Sequence, residues 1–232
     1  IDLSESKKKL SNEIFKKLEK EHYIKKIDKE EFNEKYVKAI FDRLDKNKNY
    51  FTKNEVSEFI KESKKDNEKI FDIFLAYEII NLYFKKLIEF SDLQIAMIEQ
   101  DEFNFKTEEY LDIFYEDNEW LSDFSEIQNL WRLETKNDLL IAKISDSSSP
   151  DYKKDLVKRY KNRIRRITQQ KEEDIFTLAI NILTNQFDPH SSYLSPRSAE
   201  DFDVNMSLKL SGIGALLGCL LYTSDAADEK RW

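Results

Sequence analysis

The sequence has 232 residues, of which 40% are hydrophobic and 36% charged, and its formal net charge is −8 at pH 7. This composition indicates a folded protein, and the acidic charge argues against a general affinity for nucleic acid. The single cysteine, Cys219, excludes an internal disulfide, and two histidines are too few for a histidine-based zinc site unless carboxylates complete it. No cofactor or metal is therefore predicted, and no apolar run approaches the roughly 18 residues that span a bilayer.

The first 200 residues run almost without helix breakers, because all three glycines follow residue 210. Leu10, Ile14 and Leu18 form one apolar stripe at helical spacing, which predicts the first helix. Residues 32–44 carry a wider apolar face, which predicts a second helix packed in the core.

Further helices are predicted along the rest of this region. Thr52 and Glu55 have the spacing of a capping box at the start of a third helix. Residues 66–100 continue the apolar pattern without a breaker, which predicts one long helix or two abutting ones. The aromatic and acidic stretch 101–124 has weak periodicity and is predicted to wrap around the helices.

The second half of the chain ends in a change of pattern. Ser125 and Gln128 suggest another capping box. Residues 156–167 and 175–183 predict two more helices, whereas residues 204–217 alternate apolar and polar side chains before a glycine-containing run and predict a strand.

Asp45, Asn47 and Asn49 imitate the first ligands of a calcium-binding EF-hand loop. The loop lacks the rest of the motif, since Tyr50 replaces the turn glycine and Val56 replaces the bidentate glutamate. We therefore interpret this stretch as a polar turn between helices.

A basic helix around residues 153–166 is the strongest hint of a phosphate-binding surface. Mixed-charge helix faces are common, however, and the chain as a whole is acidic. This basic face is also able to dock on the acidic segment 101–123, and no nucleic-acid partner is predicted.

Asp188, His190 and either Ser191 or Ser192 supply the three residue types of a catalytic triad. Known triads assemble from distant segments, so adjacency in sequence counts against this interpretation. Local hydrogen bonds of Asp and Ser in a proline-containing turn explain the same residues more simply.

The same stretch carries a family resemblance. Residues 187–197, FDPHSSYLSPR, resemble the junction of tail-specific proteases, which are bacterial serine endopeptidases that recognise substrates by their C-termini. Agreement continues in both directions, in RY at 159–160, IRR at 164–166, EDIF at 173–176, NMSL at 205–208 and GIGA at 212–215. The resemblance covers most of residues 30–217.

The resemblance implies a mainly α fold and three segments. A multi-helix N-terminal domain spans residues 1–200, the first strands of a truncated PDZ domain span 201–217, and 218–232 is predicted to be a non-native tail. Within the PDZ entrance, the backbone N–H groups of Gly212, Ile213 and Gly214 are expected to hold a substrate's terminal carboxylate. Glycines let consecutive N–H groups converge on an anion.

The resemblance also implies a function for the full protein, a periplasmic serine endopeptidase of the cell envelope with a Ser/Lys dyad. Its expected partners are protein substrates, bound by their C-terminal peptides, and an adaptor protein. The Ser nucleophile and Lys base are expected outside this chain, so the chain itself is predicted to be inactive. The alternative is a non-catalytic helical module that binds other proteins, and the sequence does not decide membrane association.

Overall fold

A computed structural model of the protein describes residues 1–23, 29–65, 71–100, 103–112, 119–145 and 151–207. These residues form eight helices and no strand. The helices are α1 (Glu5–Glu21), α2 (Lys29–Leu44), α3 (Lys53–Ser63), α4 (Ile73–Glu99), α5 (Phe124–Ser145), α6 (Tyr152–Thr168), α7 (Glu172–Thr184) and α8 (Pro196–Ser207). The predicted mainly α fold is confirmed. The chain divides into two compact units, residues 1–193 and 194–232.

Local capping interactions start several of these helices. The predicted capping box of α3 is confirmed, because the Thr52 hydroxyl accepts from the Glu55 N–H at 3.3 Å and the Glu55 carboxylate accepts from the Thr52 N–H at 2.8 Å. Helix α4 begins after Asp72, whose carboxylate accepts from the Phe74 N–H at 2.9 Å. It continues as one helix of 27 residues, about 40 Å long.

The predicted start of α5 is wrong by two residues. Helix α5 begins at Phe124, and Asp123 precedes it: the Asp123 carboxylate accepts from the Ser125 N–H at 3.0 Å, and the Glu126 carboxylate accepts from the Asp123 N–H at 3.3 Å. Asp123 and Glu126 thus cap the helix in the manner expected of Ser125 and Gln128.

The larger core lies among α1, α2, α3, α4 and α7. Its fully buried side chains include Tyr36, Ile79 and Phe176. Aromatic rings join these helices, for example Phe15 of α1 and Phe32 of α2, which meet edge-on with ring centroids 5.5 Å apart. Helix α4 contacts six other helices of the first unit, so it forms the central axis of that unit.

Two smaller clusters hold α5 and α6 on the C-terminal half of α4. Trp131 is fully buried and stacks on Phe90 with ring centroids 4.9 Å apart. Tyr160 packs with Ile98 and Leu139 in the other cluster. The Trp131 cluster also includes Tyr50, so α5 lies beside the turn that joins α2 to α3.

The second unit corrects one expectation. Residues 204–207 were expected to open a strand, but they form the last turn of α8, and residues 208–217 lie outside the described residues. A lone strand leaves its backbone groups without partners, whereas a helix satisfies them locally. The first turn of α8 also holds Pro196, a position that suits proline.

Candidate functional site

The predicted peptide-carboxylate site, Gly212, Ile213 and Gly214, lies outside the described residues, as does the predicted non-native tail 218–232. The described functional candidates are therefore the polar turn after α2, the basic helix α6 and the junction segment. We define the junction segment as residues 187–193, which follow α7 and close the first unit.

The polar turn is organised by one buried carboxylate. Asp45 is 2% exposed, and its two oxygens accept three backbone N–H groups, from Asn49 at 2.7 Å, Tyr50 at 2.9 Å and Phe51 at 3.1 Å. Lys48 adopts the left-handed region, with φ of 59°, which lets the chain reverse. The Asp45 oxygens that would face a calcium ion are thus used to fold the loop, and the predicted polar turn is confirmed.

Opposing effects act on the pKa of Asp45. Burial raises the pKa of Asp45, and the three N–H donors together with the charge of Lys86 oppose that rise. Lys86 is itself buried, at 5% exposure, and its ammonium lies 2.8 Å from the Glu55 carboxylate. Lys86 of α4 therefore forms an ion pair with the half-buried carboxylate of Glu55 at the start of α3.

The turn is tied to α5 by two long-range hydrogen bonds. The indole N–H of Trp131 donates to the Asn49 carbonyl at 2.8 Å, and the Asn49 side-chain amide donates to the Glu134 carboxylate at 2.6 Å. Burial, together with the charges of Asp138 and Asp45, raises the pKa of Glu134 to about 7, and Arg163 opposes that rise. Glu134 is therefore a group that titrates near neutral pH inside a helical interface.

Helix α6 directs part of its basic face inward. Arg163 donates to the side-chain oxygen of Gln94 at 2.9 Å, on α4. Arg159 pairs with Asp138 of α5 at 2.8 Å. Among the described residues of the acidic segment 101–123, Glu109 instead binds Arg132 and Lys136 of α5. Glu109 of that segment is thus held by α5, while Phe103 packs against the cluster that contains Leu156 and Tyr160 of α6.

The junction segment begins with an anchor in the core. Phe187 is 3% exposed and meets the rings of Phe15 and Phe32 edge-on, at 6.0 and 5.5 Å between centroids. The Asp188 carboxylate then accepts from the His190 backbone N–H at 3.0 Å, and the Ser191 N–H donates to the Asp188 carbonyl at 3.0 Å. The expected local hydrogen bonds of this turn are confirmed.

These contacts do not assemble a triad. The Asp188 carboxylate binds the backbone of His190, which is exposed, and the Ser191 hydroxyl lies 3.5 Å from a ring nitrogen of His22 on α1. A triad needs the imidazole between the serine and the carboxylate. The described geometry of Asp188, His190 and Ser191 therefore serves the turn.

Helix α7 holds the rest of the junction segment. The Thr184 hydroxyl donates to the Ser191 carbonyl at 2.9 Å, and the Asn181 side-chain oxygen accepts from the Tyr193 N–H at 2.7 Å. The Tyr193 ring meets Phe176 edge-on, with centroids 5.6 Å apart. Sequence reasoning missed these anchors, although Asn181 and Thr184 are the polar residues in the otherwise apolar last two turns of α7.

A family model described as the tail specific protease N-terminal domain matches residues 14–197, a range that includes the whole junction segment. The chain belongs to this family. The resemblance inferred from the junction sequence is thereby confirmed. The tail-specific protease of Haemophilus influenzae is 30% identical over 204 residues, which make up 87% of this chain and 29% of that protein. The chain therefore spans less than a third of the length of this relative.

Within this tail-specific protease N-terminal domain, the junction segment lies close to the C-terminal limit of the match. Hydrogen bonds to Ser191 and Tyr193 join it to α7, so α7 fixes the position of the last residues of the first unit.

None of the helices in the described part of the chain is both long and apolar enough to cross a bilayer. The described residues also contain no group of three or more His, Cys, Asp or Glu side chains placed to hold a metal ion.

Proposed function

We propose that the full protein is a serine endopeptidase that recognises and degrades proteins by their C-termini, and that this chain is its helical scaffold and substrate-handling portion. The observation that carries the proposal is the family match over residues 14–197, which includes the whole junction segment. The similarity to the tail-specific protease of Haemophilus influenzae supports the same class of activity.

We assign recognition of the substrate's C-terminus and cleavage of the peptide bond to different parts of the full protein. Gly212, Ile213 and Gly214 bind the terminal carboxylate of a substrate through backbone N–H groups, and the adjoining strand pairs with the peptide. A Ser nucleophile activated by a Lys base performs the cleavage in a part of the full protein beyond these 232 residues. The helical unit supports that site through the anchored junction segment.

Peptidase assays on two proteins test this division. The 232-residue chain should not cleave an unfolded reporter with an apolar C-terminus, whereas the full-length protein should cleave it. Cleavage by the purified chain alone would contradict the proposed location of the dyad. Loss of full-length activity after substitution of the nucleophilic serine identifies the activity as the protein's own.

A helical adaptor module is the second candidate. It is favoured by the junction geometry, in which Asp188 and Ser191 stabilise a turn instead of a triad. An adaptor predicts that the full-length protein binds the reporter without cleaving it. The assay described above thus separates the two candidates.

The proposed endopeptidase acts in the cell envelope, in the periplasm, where a protease of this class meets exported substrates. Fractionation of cells that express the full-length protein tests this location. Recovery of the protein in the cytosolic fraction alone would contradict it.

A further inference from the structure

Helix α6 carries a concentrated positive charge on an acidic protein. Residues Tyr152–Thr168 include eight Lys or Arg and one Asp, while the whole chain has a net charge of −8. Several of these cations are satisfied internally, by Asp138, Glu99 and the side chain of Gln94. Lys154 pairs with Asp151 at 2.7 Å. Lys158, Arg165 and Arg166 lie on the exposed surface of the helix.

The unsatisfied cations lie on one stripe. Lys158, Arg165 and Arg166 are exposed, and none has a carboxylate at ion-pair distance among the described residues. With Asn162 they are spaced at i, i+4, i+7 and i+8, which places them on one side of the helix. Keeping three cations together without partners costs electrostatic free energy, which an anionic ligand would relieve.

Two open clefts follow this stripe. One, of about 610 Å³, is lined by Ile98 and Val157 at an apolar floor and by lysines at its rim. The other, of about 440 Å³, shares Lys158 and Asn162 with the first and extends to Arg166. From residue 153 to residue 166 the helix rises about 20 Å, the length of roughly six residues of extended peptide.

From this surface we infer that α6 binds an extended, acidic polypeptide segment that also carries apolar side chains. The carboxylates pair with Lys158, Arg165 and Arg166, and the apolar side chains contact Ile98 and Val157. The inference names a chemistry of partner and goes beyond the proposed peptidase activity, since the segment is bound there and not cleaved.

A polypeptide fits this surface better than nucleic acid or an anionic membrane does. Glu99 and Asp155 line the clefts and would repel a continuous row of phosphates. A peptide is able to place its carboxylates beside the cations alone and to use the apolar floor, which a phosphodiester backbone does not need.

Fluorescence anisotropy with labelled six-residue peptides tests the inference. At low ionic strength the 232-residue chain should bind a peptide that alternates Glu and Leu. It should bind an alternating Glu and Ser peptide several-fold more weakly, and an alternating Lys and Leu peptide not detectably. Equal binding of the Leu and Ser peptides, or no binding of the Leu peptide, would overturn the inference.

Charge reversal locates the site. The triple variant Lys158→Glu, Arg165→Glu, Arg166→Glu should weaken binding of the Glu and Leu peptide by about tenfold or more. The matched control reverses Lys9, Lys16 and Lys17, three exposed cations of α1, and should change affinity by less than about twofold. Equal losses in the two variants would show a general charge effect and overturn the assignment to α6.

Two further measurements keep the inference falsifiable if the triple variant folds poorly. Binding of the peptide by the unmodified chain should weaken as salt is added, and salt-independent binding would contradict an electrostatic contact. Tighter binding of a single-stranded oligonucleotide or of anionic phospholipid vesicles than of the peptide would overturn the inference in favour of a phosphate-binding surface. None of these results depends on cleavage, so the proposed peptidase function stands or falls separately.

Discussion

Asp45 folds the turn between α2 and α3 through hydrogen bonds to three consecutive backbone N–H groups. Asparagine keeps one acceptor oxygen and loses the other, so Asp45→Asn should leave at least one buried donor unsatisfied. We expect the free energy of unfolding to fall by about 2 kcal/mol. Urea denaturation followed by circular dichroism measures this change.

The control for this prediction is Asp42→Asn, at an exposed position of α2. It should change the free energy of unfolding by less than about 0.5 kcal/mol. If the two variants lose the same stability, the hydrogen bonds of Asp45 do not organise the turn as described.

Glu134 makes stability depend on pH. Its pKa is raised from 4.5 to about 7, mainly by burial, so the folded protein holds a proton that the unfolded chain releases. The stability gained from this proton is fully present below pH 4.5 and is lost as the pH rises through about 7. Across this range the loss should be about 3 kcal/mol relative to Glu134→Gln, which does not titrate.

Denaturation at several pH values between 4 and 8.5 checks this sign and size. The difference in stability between the unmodified protein and Glu134→Gln should shift in favour of the variant as the pH rises. Glu89→Gln, at an exposed position of α4, should keep the pH profile of the unmodified protein. A Glu134→Gln profile parallel to that of the unmodified protein would show that Glu134 does not titrate in this range.

At the scale of elements, side chains of α7 hold the junction segment in place through hydrogen bonds. Asn181 accepts from the Tyr193 N–H at 2.7 Å, so Asn181→Ala removes the acceptor that holds the end of the first unit. We expect amide hydrogen exchange at Tyr193 to become about tenfold faster. Asn185→Ala, at an exposed position beyond the end of α7, should leave that exchange rate unchanged. Unchanged protection at Tyr193 in Asn181→Ala would contradict the anchoring.

The sequence predicted helices where periodicity and capping agreed. The α3 capping box follows from Thr52 and Glu55 alone, because both groups lie within one turn. The start of α5 was missed because Asp123 with Glu126 and Ser125 with Gln128 have the same spacing. The choice between them is linked to tertiary structure, since the Leu121 carbonyl just before the helix accepts from the Lys53 N–H at 2.8 Å.

The sequence also did not predict the tertiary contacts of the candidate sites. Trp131 and Asn49 are 82 residues apart, so no local pattern predicts the hydrogen bond between them. Conversely, the turn bonds of Asp188 and Ser191 were predicted because they are local. The alternation around Met206 suggested a strand, but a strand needs a partner that local sequence does not supply.

At the scale of the whole molecule, the junction sequence identified the family because several of its side chains each make a specific structural contact. Phe187 fills the core, Asp188 closes the turn, and Tyr193 packs on α7. The predicted carboxylate-binding residues, Gly212, Ile213 and Gly214, stay a prediction. Their role is the step that links the helical unit to recognition of a substrate's C-terminus.

Cleavage of two reporters by the full-length protein tests that role most directly. The reporters are identical except that one ends in a free apolar C-terminus and the other in the same residues with an amidated end. We predict rapid cleavage of the free form, slow cleavage of the amide, and loss of this preference in Gly212→Val with Gly214→Val, where side chains block the converging N–H groups. Ser211→Ala should retain the preference. Equal cleavage of both reporters by the unmodified protein would contradict recognition through the terminal carboxylate.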